Sequence, residues 1–197
     1  MKLPDASDLN DRELQLNVVV TQVLFLTVAA VGAWLFFGDA FHPFSQWNFS
    51  RAALFTGAVL AAAVLVFELI LWFIVPRRWF DDGGINIRVF RNMPWPALAA
   101  VCFLVAFAEE VLFRGVLQEQ FGLLAASLLF ALMHFRYASK PFLLFVVVLI
   151  SVSIGVVYEW SGSLAAVVTA HFIIDLVLAG IIRLRLTEIT TGGDLHG

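Results

Sequence analysis

Apolar residues in this chain come in runs long enough to cross a bilayer, and that feature constrains its fold more than any other. A spanning helix needs about 20 mostly apolar residues. Six such runs can be drawn, at about Leu16–Phe37, Ala52–Val75, Trp95–Leu117, Leu123–Phe135, Phe142–Tyr158 and Leu164–Ile182. The fourth is short, and the fourth and fifth have polar ends. Inside lipid every backbone polar group must be satisfied internally. Uninterrupted apolar runs of this length meet that demand as helices. The expectation is an all-α polytopic membrane protein with about six transmembrane helices.

The charges support the count. With six spans, both termini and the loops after spans two and four share one side. That side holds Lys2, Arg12, Arg77, Arg78, Arg88, Arg91, Arg136, Lys140, Arg183 and Arg185, and the other holds Arg51. By the positive-inside rule the first side is cytoplasmic. The tryptophans Trp34, Trp47, Trp72, Trp79, Trp95 and Trp160 fall near span ends, where amphipathic rings prefer the interface. The acidic, polar start of the chain gives no sign of a cleavable signal peptide. The net charge of −3 and the lack of a basic run argue against nucleic acid as a partner. Cys102, the single cysteine, excludes an internal disulfide and a multi-thiolate metal site, and reads as a packing residue. One membrane domain is expected. Residues 1–94 would supply two spans and a basic loop with an amphipathic piece on the membrane surface, residues 95–182 a four-span core, and residues 183–197 a flexible tail.

Ionisable residues inside spans are costly and point to function. Span three carries Glu109, Glu110 and Arg114, span four His134, and span six His171 and Asp175. Glu110 and Arg114 are four apart, so they share a helix face and can pair. Glu109 lies about 100° around the helix from Glu110 and is free to point elsewhere. His171 and Asp175 are also four apart. Either both act on one atom, or Asp175 orients His171. Counting the rise along each span and the lean of side chains towards the helix N-terminus, Glu109, His134 and His171 can meet near mid-membrane. Glu68 in span two belongs to no motif and reads as snorkelling or lining a cavity. His42 and His196 have no case for function, and Phe113 and Phe130 read as packing residues.

At these positions the chain resembles a known family. Glu109 to Arg114 matches EExxxR, Phe130 to His134 matches FxxxH, and His171 to Asp175 matches HxxxN/D. The ordered set, on successive apolar segments, is similar to the CPBP (Abi) family. That family includes type II CAAX prenyl endopeptidases and bacterial proteins linked to bacteriocin processing and self-immunity. The resemblance covers about Trp95–Ile182. It implies intramembrane proteolysis, with Glu109, Glu110, His134, His171 and Asp175 as the catalytic set. Glu109 and His134 would activate a water, and His171 and Asp175 would stabilise the oxyanion or hold a metal. Asp175 stands where the CAAX proteases usually have Asn. An ionised Asp175 would repel an oxyanion, so it would have to be protonated, orient His171 or bind a cation.

Two mechanisms suit these residues. Glu109, His134, His171 and Asp175 could hold Zn²⁺ with a nucleophilic water. Without metal, Glu109 is the general base and His134 holds the water. No organic cofactor is implied. The expected partners are the lipid bilayer and a peptide or membrane-protein substrate, and the expected location is a bacterial plasma membrane. Two rival functions use the same residues: a proton-coupled transporter, since buried Glu and His also relay protons, and a non-catalytic scaffold or immunity protein. The short chain and the lack of a repeated half count against the transporter.

Overall fold

The computed structural model describes residues 9–184. Among these residues every regular element is helical. The main helices are α1 (Asp11–Phe37), α2 (Arg51–Ile74), α3 (Ile85–Phe90), α4 (Trp95–Phe121), α5 (Leu123–Met133), α6 (Pro141–Ser161) and α7 (Leu164–Arg183). Five of them, α1, α2, α4, α6 and α7, are long and apolar enough to cross a membrane. The fourth expected span is an 11-residue helix, α5. At 1.5 Å per residue it covers only about 16 Å, roughly half a bilayer core. Lys2, Arg185, His196 and the expected tail lie outside the described residues, although Arg183 still belongs to α7.

Local sequence sets the helix ends. Asn10 and Glu13 form a capping box at the start of α1. Ser50 and Ser163 cap α2 and α7 by accepting from backbone N–H groups. Gly38 and Gly162 close α1 and α6 in the left-handed conformation that glycine adopts most readily. Pro96 and Pro141 sit in the first turns of α4 and α6, where a missing N–H costs nothing. One end of the bundle holds contacts between Arg88 and Asp11, Arg136 and Asn86, and Lys140 and Asp81. The opposite end holds His42, Gln46, Glu119 and Tyr158, joined by hydrogen bonds.

Small residues let the helices approach. α2 lays Ala53, Gly57, Ala61 and Val64 against α7, at a spacing of three to four residues. A Cβ on Gly57 would lie 2.2 Å from the Ala166 carbonyl oxygen, so α2 touches α7 backbone to backbone. α1 packs along α4 through Phe25, Ala29 and Ala33. The expected surface helix is α3. Rather than resting only on lipid, it seats Val89 against Leu14, Leu98 and Cys102, and thereby closes part of the basic end of the bundle.

Candidate active site

The site is built on α4 and α7, the two helices with half of their most apolar stretch buried. α4 is α-helical through Leu112 and winds as a π-helix over Phe113–Gln118. Such wide turns recur at functional sites because they re-aim side chains within a continuous helix. This one holds Arg114 and Gln118 against α6. The Arg114 guanidinium donates to the Ser151 carbonyl at 2.8 Å and to its hydroxyl at 3.0 Å. The Gln118 amide donates to the Gly155 carbonyl at 2.8 Å.

The two adjacent glutamates separate as their angular offset predicts. Glu110 is fully buried, and its Oε2 lies 3.1 Å from Nε of Arg114, which is 1% exposed. This is an ion pair by distance without hydrogen-bond alignment. Its Oε1 accepts from Nδ1–H of His171 at 2.7 Å. That link joins the first and third motifs directly, and the sequence expectation, which committed Glu110 to Arg114 alone, did not include it. Glu109 bonds neither partner and lines a cavity of about 480 Å³.

The same cavity is lined by His134, His171 and Asp175. Nδ1–H of His134 donates to the Phe130 carbonyl at 2.9 Å, which leaves Nε2 as an acceptor. The Phe130 ring stacks on His134 at 4.7 Å between centroids, and the Arg114 guanidinium lies 5.0 Å from its centre. Phe130 packs, as expected, and it also ties the second motif to the first. Phe113 meets Phe130 and Phe25 edge to face and is likewise a packing residue. Nε2 of His171 lies 3.6 Å from Asp175 Oδ2, which is ion-pair distance but too long for a hydrogen bond. His171 therefore sits between two carboxylates, one close and buried, one more distant and 29% exposed.

Glu68 on α2 also lines the cavity, with Oε2 buried and without a hydrogen bond. Gln22 on α1 does the same with its Oε1. Sequence reasoning passed over Gln22, Ser151 and Gln118. The signal was present for Gln22 and Ser151, each a polar residue within an apolar run, whereas Gln118 lies just past the end of the third run, beside Glu119 and Gln120. His42 contacts Glu119 at the end of the bundle opposite the basic residues, away from the cavity. Cys102 is buried in an apolar cluster.

Zinc does not fit these donors as they are placed. Among the described residues no three His, Cys, Asp or Glu side chains form a group that could hold a metal ion. His171 gives Nδ1–H to Glu110 and, among the described residues, makes no hydrogen bond through Nε2, an arrangement that a metal-bound imidazole also shows.

The comparisons with known proteins agree with the arrangement of motifs. Residues 91–177 match the family described as Type II CAAX prenyl endopeptidase Rce1-like. That stretch contains all three motifs, with the whole of α4 and α5 and most of α7. The uncharacterized protein YpbD of Bacillus subtilis (strain 168) is 42% identical over 167 residues, covering 83% of this chain and 87% of YpbD. The similarity therefore extends well beyond the stretch 91–177. No solved structure matches the chain. The chain belongs to the Rce1-like family of type II CAAX prenyl endopeptidases.

Proposed function

We propose that this protein is an intramembrane endopeptidase that hydrolyses a peptide bond with water activated by Glu109. The observation that carries this reading is the convergence of Glu109, His134, His171 and Asp175, from α4, the end of α5 and α7, on one cavity inside a bundle of span-length helices. Membership of an endopeptidase family supports it independently.

The chemistry follows from the contacts. Glu109 is the carboxylate left without Arg114 or His171, and so the one available as a base. His134, with Nδ1–H bound to the Phe130 carbonyl, offers Nε2 as an acceptor that orients the water. Glu109 takes a proton as the water oxygen bonds to the peptide carbonyl carbon. The carbonyl oxygen becomes an oxyanion and is met by Nε2–H of His171, which Glu110 and Asp175 hold between them. Collapse breaks the C–N bond, and Glu109 returns its proton to the leaving nitrogen. Arg114 acts through Glu110 and is a positioning residue. The basic end of the bundle faces the cytoplasm by the positive-inside rule. The cavity reaches towards that end, where Asn86 and Arg136 line it, so substrate enters from the cytoplasmic side. The substrate is a peptide segment at a bacterial plasma membrane.

Glu109→Gln keeps the volume and removes the base. Turnover of a peptide substrate in detergent or liposomes should fall by about 10²-fold or more, while peptide binding and thermal stability stay near wild type. A zinc chelator should leave wild-type turnover unchanged. Wild-type turnover by Glu109→Gln, together with its loss in Glu110→Gln, would reverse the roles of the two glutamates. If neither substitution matters, the protein is not a protease that works through this site.

A further inference from the structure

α1 lies outside the stretch that matches the family, yet it forms one wall of the cavity. Its apolar run is interrupted by Asn17, Thr21 and Gln22, at spacings of four and five residues from Asn17. Asn17 and Thr21 share a face, about 40° apart, whereas Gln22 lies about 140° round the helix from Asn17. All three line the cavity. Gln22 is the unusual member. It is 4% exposed, and its Oε1 is buried without a hydrogen bond. Gln15, two residues before Asn17, points elsewhere and anchors α1 by donating to the Val89 carbonyl.

A buried acceptor without a partner in the protein calls for a donor from outside it. The cavity's proposed use states what that donor is. A peptide drawn into the membrane to be cut must be extended at the scissile bond, so its N–H groups lose their helical partners. Within the hydrocarbon region the protein has to supply replacements. Gln22 and Glu109 line the same cavity, so a peptide that reaches Glu109 comes within the space that Gln22 borders.

We infer that Gln22 on α1 is a substrate-binding residue, accepting a backbone N–H from an extended peptide held in the cavity that Glu109 also lines. This rests on the peptidase reading for its occupant but is tested by binding, which does not require cleavage. The probe is a fluorescein-labelled library of random decapeptides, presented to the full chain in detergent micelles. Binding is measured with Glu109→Gln and with Glu109→Gln/Gln22→Leu, and cleavage with the wild type and Glu109→Gln. The leucine variant should fold with unchanged or higher thermal stability and bind about tenfold more weakly. The strongest-binding peptide is then N-methylated at one bond at a time. One position should cost Glu109→Gln protein about tenfold and cost the double variant nothing, an effect that a merely structural glutamine would not produce. If Gln22→Leu does not fold, Gln22→Met carries the same comparison. Equal binding with and without Gln22, no position-specific N-methyl effect, or no peptide binding at all overturns the inference. If the peptide is bound through Gln22 but Glu109→Gln cleaves it like wild type, the binding site stands and the proposed catalytic role of Glu109 fails.

Discussion

The two central helices and the outer ones answer to different solvents. Half of the most apolar stretch of α4 and of α7 is buried, against 22% for α1 and α2 and 28% for α6. The outer helices show Leu24, Val28, Phe55, Phe73 and Phe145 to the surroundings. α7 instead buries Ala165, Ala166, Ala170, Ala179 and Gly180, side chains that give little hydrophobic area and allow close approach. Every ionisable in-span residue of the three motifs except His134 sits on this central pair. The difference shows where a membrane protein can keep charge: ionisable groups sit where helices shield them from lipid and can pair them with one another.

If the comparison is right, removing a central charge should cost more than any change on the rim. Arg114→Ala should have the largest effect on stability. It leaves Glu110 fully buried and bonded only to His171, and strips Ser151 of its donor. Breaking a buried pair from one side costs about 3–5 kcal/mol in soluble proteins. Yield and thermal stability in detergent should both drop sharply. Normal stability with activity lost would place Arg114 in the reaction rather than in the scaffold.

The seam between an outer and a central helix comes next. Gly57→Ala puts a methyl group 2.2 Å from the Ala166 carbonyl oxygen, and backbone cannot rotate away. α2 must shift from α7, at a cost of about 1–3 kcal/mol by analogy with overpacked cores. The matching change on α1, Gly32→Ala, meets side-chain atoms alone, the Val116 Cγ1 at 3.3 Å and the Phe36 Cε2 at 3.8 Å. Thermal unfolding should show a clear loss for Gly57→Ala and little for Gly32→Ala. Equal losses would mean that the α1–α4 and α2–α7 seams are alike, and the contrast drawn here would fail.

The sequence carried the helices well because apolar run length is a direct readout of bilayer thickness. The observed bounds differ from the expected ones by a few residues at most, and the Glu110–Arg114 pair follows from helix spacing alone. What periodicity cannot encode is which helix a face meets. Glu110 was placed correctly on its own helix, but its bond to His171 depends on how α4 packs against α7. α5 was drawn as a span because Leu123 to Phe135 is apolar, whereas the chain turns at His134 into a short 3₁₀ helix, Phe135–Tyr137. The packing of α3 against the bundle end was hidden for a similar reason: an amphipathic face looks the same whether lipid or protein covers it.

His171 brings the comparison down to one ring with a carboxylate on either side. Glu110 belongs to the buried centre and accepts from Nδ1–H at 2.7 Å. Asp175, four residues along α7, reaches Nε2 only at 3.6 Å and is partly open to the cavity. A carboxylate that accepts no aligned hydrogen bond contributes mainly through its charge, and solvent in the cavity screens that charge. Asp175→Asn keeps the size and the hydrogen-bonding end and removes the charge. Its expected effect on stability is the smallest of the three, within about 0.5 kcal/mol, as for changes that break no buried contact. Turnover should change by less than about tenfold, because Glu110 still holds His171 through Nδ1–H and the substituted amide offers an N–H near the place where an oxyanion forms. Thermal unfolding and peptide turnover, measured on the same preparation, separate the two effects. A large loss of stability would mean that Asp175 is as much a part of the buried centre as Glu110, and that His171 depends on both carboxylates equally.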